Sequence, residues 1–271
     1  MIMTLLDLLS YAFIQRAYLA GSFVAVLCAV LGLFLVLRKL SLIGDGLSHV
    51  SFGAIALGLF LGFYPFYVAI PLVIGGSYLI LKLTEKARIY GDAAIGIVSS
   101  VSIAGGVILA SLSKGFNVDL FSYLFGNILA ISTREVLLSV GLSAVILLVI
   151  IFLYNDLFST TFDEQFARVT GIKTARINVA LIFLTAITVV LAVKVVGILL
   201  ISAMLILPAS TALQLAKGFK AAMITAAGIA VFSVLAGITV SFYADLPAGA
   251  TVVLVNFLLF ALSFSVKKLV R

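Results

Sequence analysis

A chain of 271 residues that is 64% hydrophobic and 10% charged, with mean hydropathy +1.36, lies far from the roughly 25% charged residues of an average globular domain. No polar stretch is long enough to bury a core of its own, which excludes a separate soluble domain. The net charge of +7 does not point to nucleic acid, because the basic residues sit in short stretches between apolar runs, and the single cysteine, Cys28, excludes a disulfide framework or cysteine-based metal site within one chain.

The N-terminal residues Met1 to Ile14 carry Asp7 and no basic region, so they read as an interfacial lead-in rather than a cleaved signal peptide. Apolar runs then recur at roughly 17–37, 41–62, 65–82, 92–113, 135–154, 177–193, 195–215, 221–243 and 247–266, each near the ~20 residues a helix needs to cross a bilayer. The fold class is all-α: one polytopic bundle of about nine transmembrane helices, forming a single transmembrane domain over residues 1–271. With the Arg38–Lys39 loop inside, only Arg16, Lys114, Arg134 and Lys194 of the 17 Lys and Arg residues fall outside. That bias predicts an external N-terminus and a cytoplasmic C-terminus.

The second run, LSLIGDGLSHVSFGAIALG, places Asp45 and His49 four residues apart, on one helix face. His49 is the only histidine. Counting about 1.5 Å per residue from Lys39 puts Asp45 roughly 9 Å into the membrane and His49 about 15 Å, near its midplane. Ionisable groups at such depths face a bundle interior or an aqueous path. A carboxylate with an imidazole suits zinc and, less selectively, manganese; an ordering hydrogen-bonded pair and a proton relay stay open as readings. Gly53, Gly58 and Gly62 here, with Gly105 and Gly106 in the fourth run, predict close helix packing.

Asp92 opens the fourth run in YGDAAIGIVSS, where it serves either as a helix N-cap or as a contact on the same path. Between Ser113 and Arg134 the uncharged run LFSYLFGNILAIST is too short to span, so an outer interfacial or re-entrant helix is expected at about 114–134. On the cytoplasmic side a helix is expected at about 161–171. Thr161 and Glu164 fit a T-x-x-E capping box, and Gly171 supplies the stop. Phe162, Phe166, Val169 and Ile172 make an apolar stripe that suits either lipid headgroups or a docking partner. Pro208 falls inside the seventh run with Ser202, Ser210, Thr211 and Gln214 around it, predicting a kinked helix that is either ordinary or a hinge lining a pathway.

No G-x-x-x-x-G-K-[ST] sequence occurs, so the chain lacks a P-loop ATPase site, and neither C-x-x-C nor H-E-x-x-H is present. Transport is therefore expected rather than enzymatic chemistry.

Five stretches in order, LRKLSLIGDGLSHVSFGAIALG, YGDAAIGIVSS, LFGNILAIS, TFDEQFARVTGI and VVGILLISAMLILPASTALQLA, resemble the permeases of the ABC-type zinc/manganese/iron uptake family, the ABC-3 group. The resemblance covers nearly the whole chain. It implies a permease homodimer in a bacterial plasma membrane, joined to two ABC ATP-binding subunits and fed by an extracytoplasmic metal-binding protein, with no nucleic acid involved. It also implies a coupling helix carried by Phe162, Asp163, Glu164, Phe166, Ala167 and Gly171, and cation contact at Asp45 and His49. No cofactor is held permanently; the cargo is a divalent cation, zinc or manganese with zinc slightly favoured, and iron also open. The rival expectations are a proton-coupled secondary metal transporter and a siderophore or vitamin ABC permease.

Overall fold

The computed structural model describes residues 10–85, 87, 89–113, 118–128 and 131–269. These form twelve α-helices, one 3₁₀ turn and no strand. In chain order they are α1 (Ala12–Leu37), α2 (Ile43–Phe60), α3 (Pro65–Glu85), α4 (Gly91–Leu112), α5 (Val118–Phe125) and α6 (Thr133–Phe152). There follow α7 (Tyr154–Phe162), α8 (Glu164–Val169), α9 (Thr174–Val196), the 3₁₀ turn (Ile198–Leu200), α10 (Ile201–Leu215), α11 (Phe219–Ala244) and α12 (Ala248–Leu269). Among the described residues nine helices are long and apolar enough to cross a membrane, α10 together with its 3₁₀ turn being one of them. Of the expected lead-in Met1 to Ile14, residues 1–9 lie outside the described residues, as do Lys86, Arg88, Lys114, Leu129, Ala130 and Arg271, whereas Ala12 to Ile14 already belong to α1.

Helices α1 and α9 form the centre, each with 72% of its most apolar stretch buried by protein. Both are apolar all round, as helices enclosed on every side must be. The α2–α3–α4 group packs on one flank and α10–α11–α12 on the other, with α6 against α1. Small residues let the backbones approach. A Cβ at Gly32 of α1 would collide with the Leu205 carbonyl of α10, and one at Gly53 of α2 would lie 2.5 Å from the Ser102 carbonyl of α4. Gly106 receives Phe52 in the same way, whereas Gly105 touches nothing and Gly62 (φ +70°) ends α2 instead of packing it.

Short connections make successive spans alternate in direction. The Arg38 end of the bundle carries the α1–α2 turn, α7, α8 and the start of α9; the Lys194 end carries the α2–α3 turn, α5, the start of α6 and the end of α9. The sixth and seventh spans meet at a single residue. Gly197 has φ +89° and ψ 156°, a conformation essentially confined to glycine. Its Cβ would strike the backbone of Phe125 and Gly126. Lys194, expected in a loop, instead occupies the last turn of α9.

Candidate functional site

Asp45 stands in the first turn of α2, where a carboxylate complements the helix dipole. Its Oδ2 lies 3.6 Å from Nε2 of His49, with side-chain exposures of 50% and 26% respectively. That separation exceeds the ~3.2 Å reach of an N–H···O hydrogen bond. The two groups share a face without consuming each other's lone pairs. Two ligands held about 2.0–2.1 Å from a tetrahedral ion stand about 3.4 Å apart, so the spacing fits an ion held between them. Among the described residues no three His, Cys, Asp or Glu side chains converge, so one chain offers two such ligands at this place.

The neighbours of this turn come from both flanks. Gly44 receives Leu205 of α10, and the Cα of Ser202 lies 4.0 Å from the Cβ position of Gly44. Gly46 receives Ile95 of α4. The Gly46–Ile95 and Gly53–Ser102 contacts keep one offset, so α2 and α4 run parallel and Asp92 begins its helix at the same end as Asp45. Asp92 is exposed in the first turn of α4, while Tyr90 takes the cap position; of the two expectations for Asp92, the N-cap is therefore set aside. Ser202 thus adjoins the Asp45 turn, and Pro208 and Ser210 lie further along α10 toward the Arg38 end. Pro208 is buried inside the helix; next to it Thr211 Oγ1 donates to the Leu207 carbonyl at 2.7 Å, whereas the buried Gln214 Oε1 has no partner among the described residues.

At the Arg38 end the expected capping box does not form. Helix α7 runs on through Thr161, whose Oγ1 is buried without a partner among the described residues, and the chain breaks at Asp163 (φ −150°, ψ 97°). Asp163 caps α8, its Oδ1 accepting from the Phe166 N–H at 2.9 Å. The reason is local: a carboxylate directly before Glu164 reaches the free N–H groups, so Thr161 is left to extend the preceding helix. Gly171 (φ +92°) does end α8, with Ile172 N–H bonded to the Ala167 carbonyl at 3.0 Å. Ala167 is buried, while Phe162, Phe166 and Val169 are 58%, 63% and 87% exposed. Phe158 and Phe162 hold α7 to the bundle through the Phe219 ring of α11, at 5.2 Å and 5.8 Å.

Behind α8 lies a polar knot absent from the sequence reading. Arg38, 10% exposed, donates from Nη2 to Asn178 Oδ1 at 2.6 Å and stands 3.7 Å from Glu164 Oε2. Asn178 Nδ2 donates to Glu164 Oε1 at 3.3 Å. Burial draws the Arg38 pKa down and Glu164 opposes it; the guanidinium stays charged.

The Lys194 end has a second knot. Glu135 in α6 completes a capping box with Ser132, and its carboxylate also accepts from Tyr64 O–H at 3.0 Å and pairs with Lys194 Nζ at 3.2 Å. Lys194 lies over the Tyr123 ring of α5, 4.5 Å from its centre. Burial, then the Glu135 charge, push the Tyr64 phenol pKa upward. Beside the knot, Ser122, Tyr123 and Asn127 help line a cavity of about 400 Å³. Sequence gave one signal for this knot, the S-x-x-E of Ser132 and Glu135.

A family model described as the ABC 3 transport family matches residues 10–267. The chain belongs to this family. Among its relatives, the manganese transport system membrane protein MntC of Halalkalibacterium halodurans is 36% identical, over 95% of this chain and 88% of its own. The high-affinity zinc uptake system membrane protein ZnuB of Haemophilus influenzae is 34% identical, over 91% of this chain and 95% of its own. The solved structure of PsaBC from Streptococcus pneumoniae in complex with Fab is 33% identical, with a TM-score of 0.86 over 95% of this chain and 92% of that one.

Proposed function

We propose that this multi-pass membrane protein is the permease subunit of an ATP-driven importer of zinc or manganese, with Asp45 and His49 as transient ligands on the cation path. The observation that carries the reading is their unbonded 3.6 Å pairing on a half-exposed face. The names of the relatives, manganese transport for one and zinc uptake for another, support a divalent metal cargo. Two ligands per chain suit passage, since a closed four-ligand site would retain the ion. Ser202 adjoins the same turn and Asp92 begins α4 at the same end; Pro208 and Ser210 supply the hinge of α10.

In this reading the chain is a homodimer in a bacterial plasma membrane, N-terminus outside and C-terminus in the cytoplasm. An extracytoplasmic metal-binding protein delivers the ion, and two ATP-binding subunits hydrolyse the ATP. The exposed Phe162, Phe166 and Val169 form the apolar face on which an ATPase docks, while Asp163, Ala167 and Gly171 shape the helix that presents them. Helix α5, in the segment expected at about 114–134, lies on the outer face. ATP-driven closure of the ATPases moves α8, and the permease alternates between outward and inward access.

The test is metal uptake by proteoliposomes holding the permease, its ATPase and its binding protein. Zinc, manganese and iron are scored in parallel for the parent, Asp45→Asn and His49→Ala. Loss of uptake in both variants with ATPase assembly intact is expected. Unchanged uptake of all three metals overturns the site, and uptake by the permease alone under a proton gradient overturns ATP coupling.

A further inference from the structure

Glu164 opens α8 with its side chain 39% exposed, and its carboxylate is shared between Arg168 of the same helix and the bundle behind it. On the bundle side it meets Arg38 and Asn178, at 3.7 Å and 3.3 Å. Among the described residues, every side-chain hydrogen bond or ion pair that leaves α8 for a span passes through Glu164. Arg38 is the other half of the arrangement. It caps the C-terminus of α1 and is followed by a tight reversal, in which Leu40 N–H bonds the Leu35 carbonyl at 2.8 Å and Lys39 N–H the Val36 carbonyl at 3.1 Å. Lys39 holds φ +58°, a left-handed conformation unfavourable for any residue with a Cβ. Four positions after Lys39 the chain enters α2 at Ile43, and the first turn of α2 carries Asp45.

A charged knot is a costly way to fasten a helix, since well-packed apolar groups hold as well or better. Its advantage is direction: a guanidinium, a carboxylate and an amide fix distances and angles that apolar contact leaves free. We propose that Arg38, Glu164 and Asn178 form the joint that passes displacement of α8 to the α1–α2 turn and so to Asp45 and His49, with Arg38 as its positioning residue. The inference rests on the reading of α8 as the ATPase-docking helix. Asn178 fixes the joint to α9, the central helix, so that α8 pivots about a point already braced by the bundle.

The test uses the full complex of permease, ATPase and binding protein in proteoliposomes, with ATP turnover and metal uptake measured on one preparation. In Arg38→Met the ATPase is expected to co-purify and to hydrolyse ATP at about the parental rate, while metal moved per ATP falls about tenfold. Arg38→Lys restores part of that ratio, and Arg38→Met with Glu164→Gln is no worse than Arg38→Met alone, as members of one joint require. If Arg38→Met is not monodisperse, Glu164→Gln is measured in the same way. An unchanged ratio of metal to ATP, or uptake and hydrolysis falling in proportion, overturns the joint. Phe166→Asp with Val169→Asp tests the underlying reading separately: if the ATPase still co-purifies, α8 is not its docking helix, whatever Arg38 does.

Discussion

Asp45 and Glu135 each stand in the first turn of a membrane-length helix, and their surroundings treat them oppositely. Glu135, its side chain 9% exposed, is saturated by Ser132, Tyr64 and Lys194. Asp45, half exposed, has among the described residues the His49 imidazole as its one side-chain neighbour of opposite character, at a distance too long for a hydrogen bond. A saturated carboxylate holds helix ends together; an unsaturated one retains acceptor capacity for something that passes. Position along the helix does not separate the two residues, but their partners do.

The comparison breaks first at Glu135. Glu135→Ala leaves the partly buried Lys194 without its counter-ion and is expected to lower stability by about 3 kcal/mol, read as thermal unfolding in detergent. Asp45→Ala should change the same reading by no more than about 0.5 kcal/mol while abolishing metal uptake. Equal losses of stability for the two would dissolve the contrast. Glu135→Met combined with Lys194→Leu removes both charges, and most of the stability lost in Glu135→Ala should return.

Tyr64→Phe sharpens the same point through pH. The folded state raises the Tyr64 pKa above the unfolded value of about 10, so this contribution is complete below pH 10 and fades as pH rises further. The parent should therefore lose more melting temperature than Tyr64→Phe between pH 9 and the alkaline limit of about pH 11. A modest gain is expected at the α1–α2 turn, where Lys39→Gly relieves a left-handed backbone and should raise stability by about 1 kcal/mol in the same melts.

Much of this was readable in the chain. Nine apolar runs, the glycine at the end of α8 and the Asp45–His49 face all follow from local spacing, because period and turn chemistry act within a few residues. The Arg38 and Glu135 knots do not. Arg38 meets Asn178 across 140 positions and Tyr64 meets Glu135 across 71, and a hydropathy count treats Arg38 and Lys194 only as markers of topology. The cap of α8 departs from local spacing for a different reason: Thr161 and Asp163 both offer an oxygen to a nearby helix start, and only the break after Phe162 chooses between them.

The central place of α1 has a consequence for how the protein is made. It is the earliest span of the nine and, with α6 and α9, the most apolar, at mean hydropathy 2.7. Its tightest neighbours come late: Gly21 meets Val234, and Gly32 meets Leu205. During synthesis α1 must wait in lipid while most of the chain is still to come, its small-residue faces covered by acyl chains. An all-round apolar surface makes that wait tolerable, since lipid solvates every side of it. Of the last three spans, α10 and α11 then displace lipid from a helix already in place.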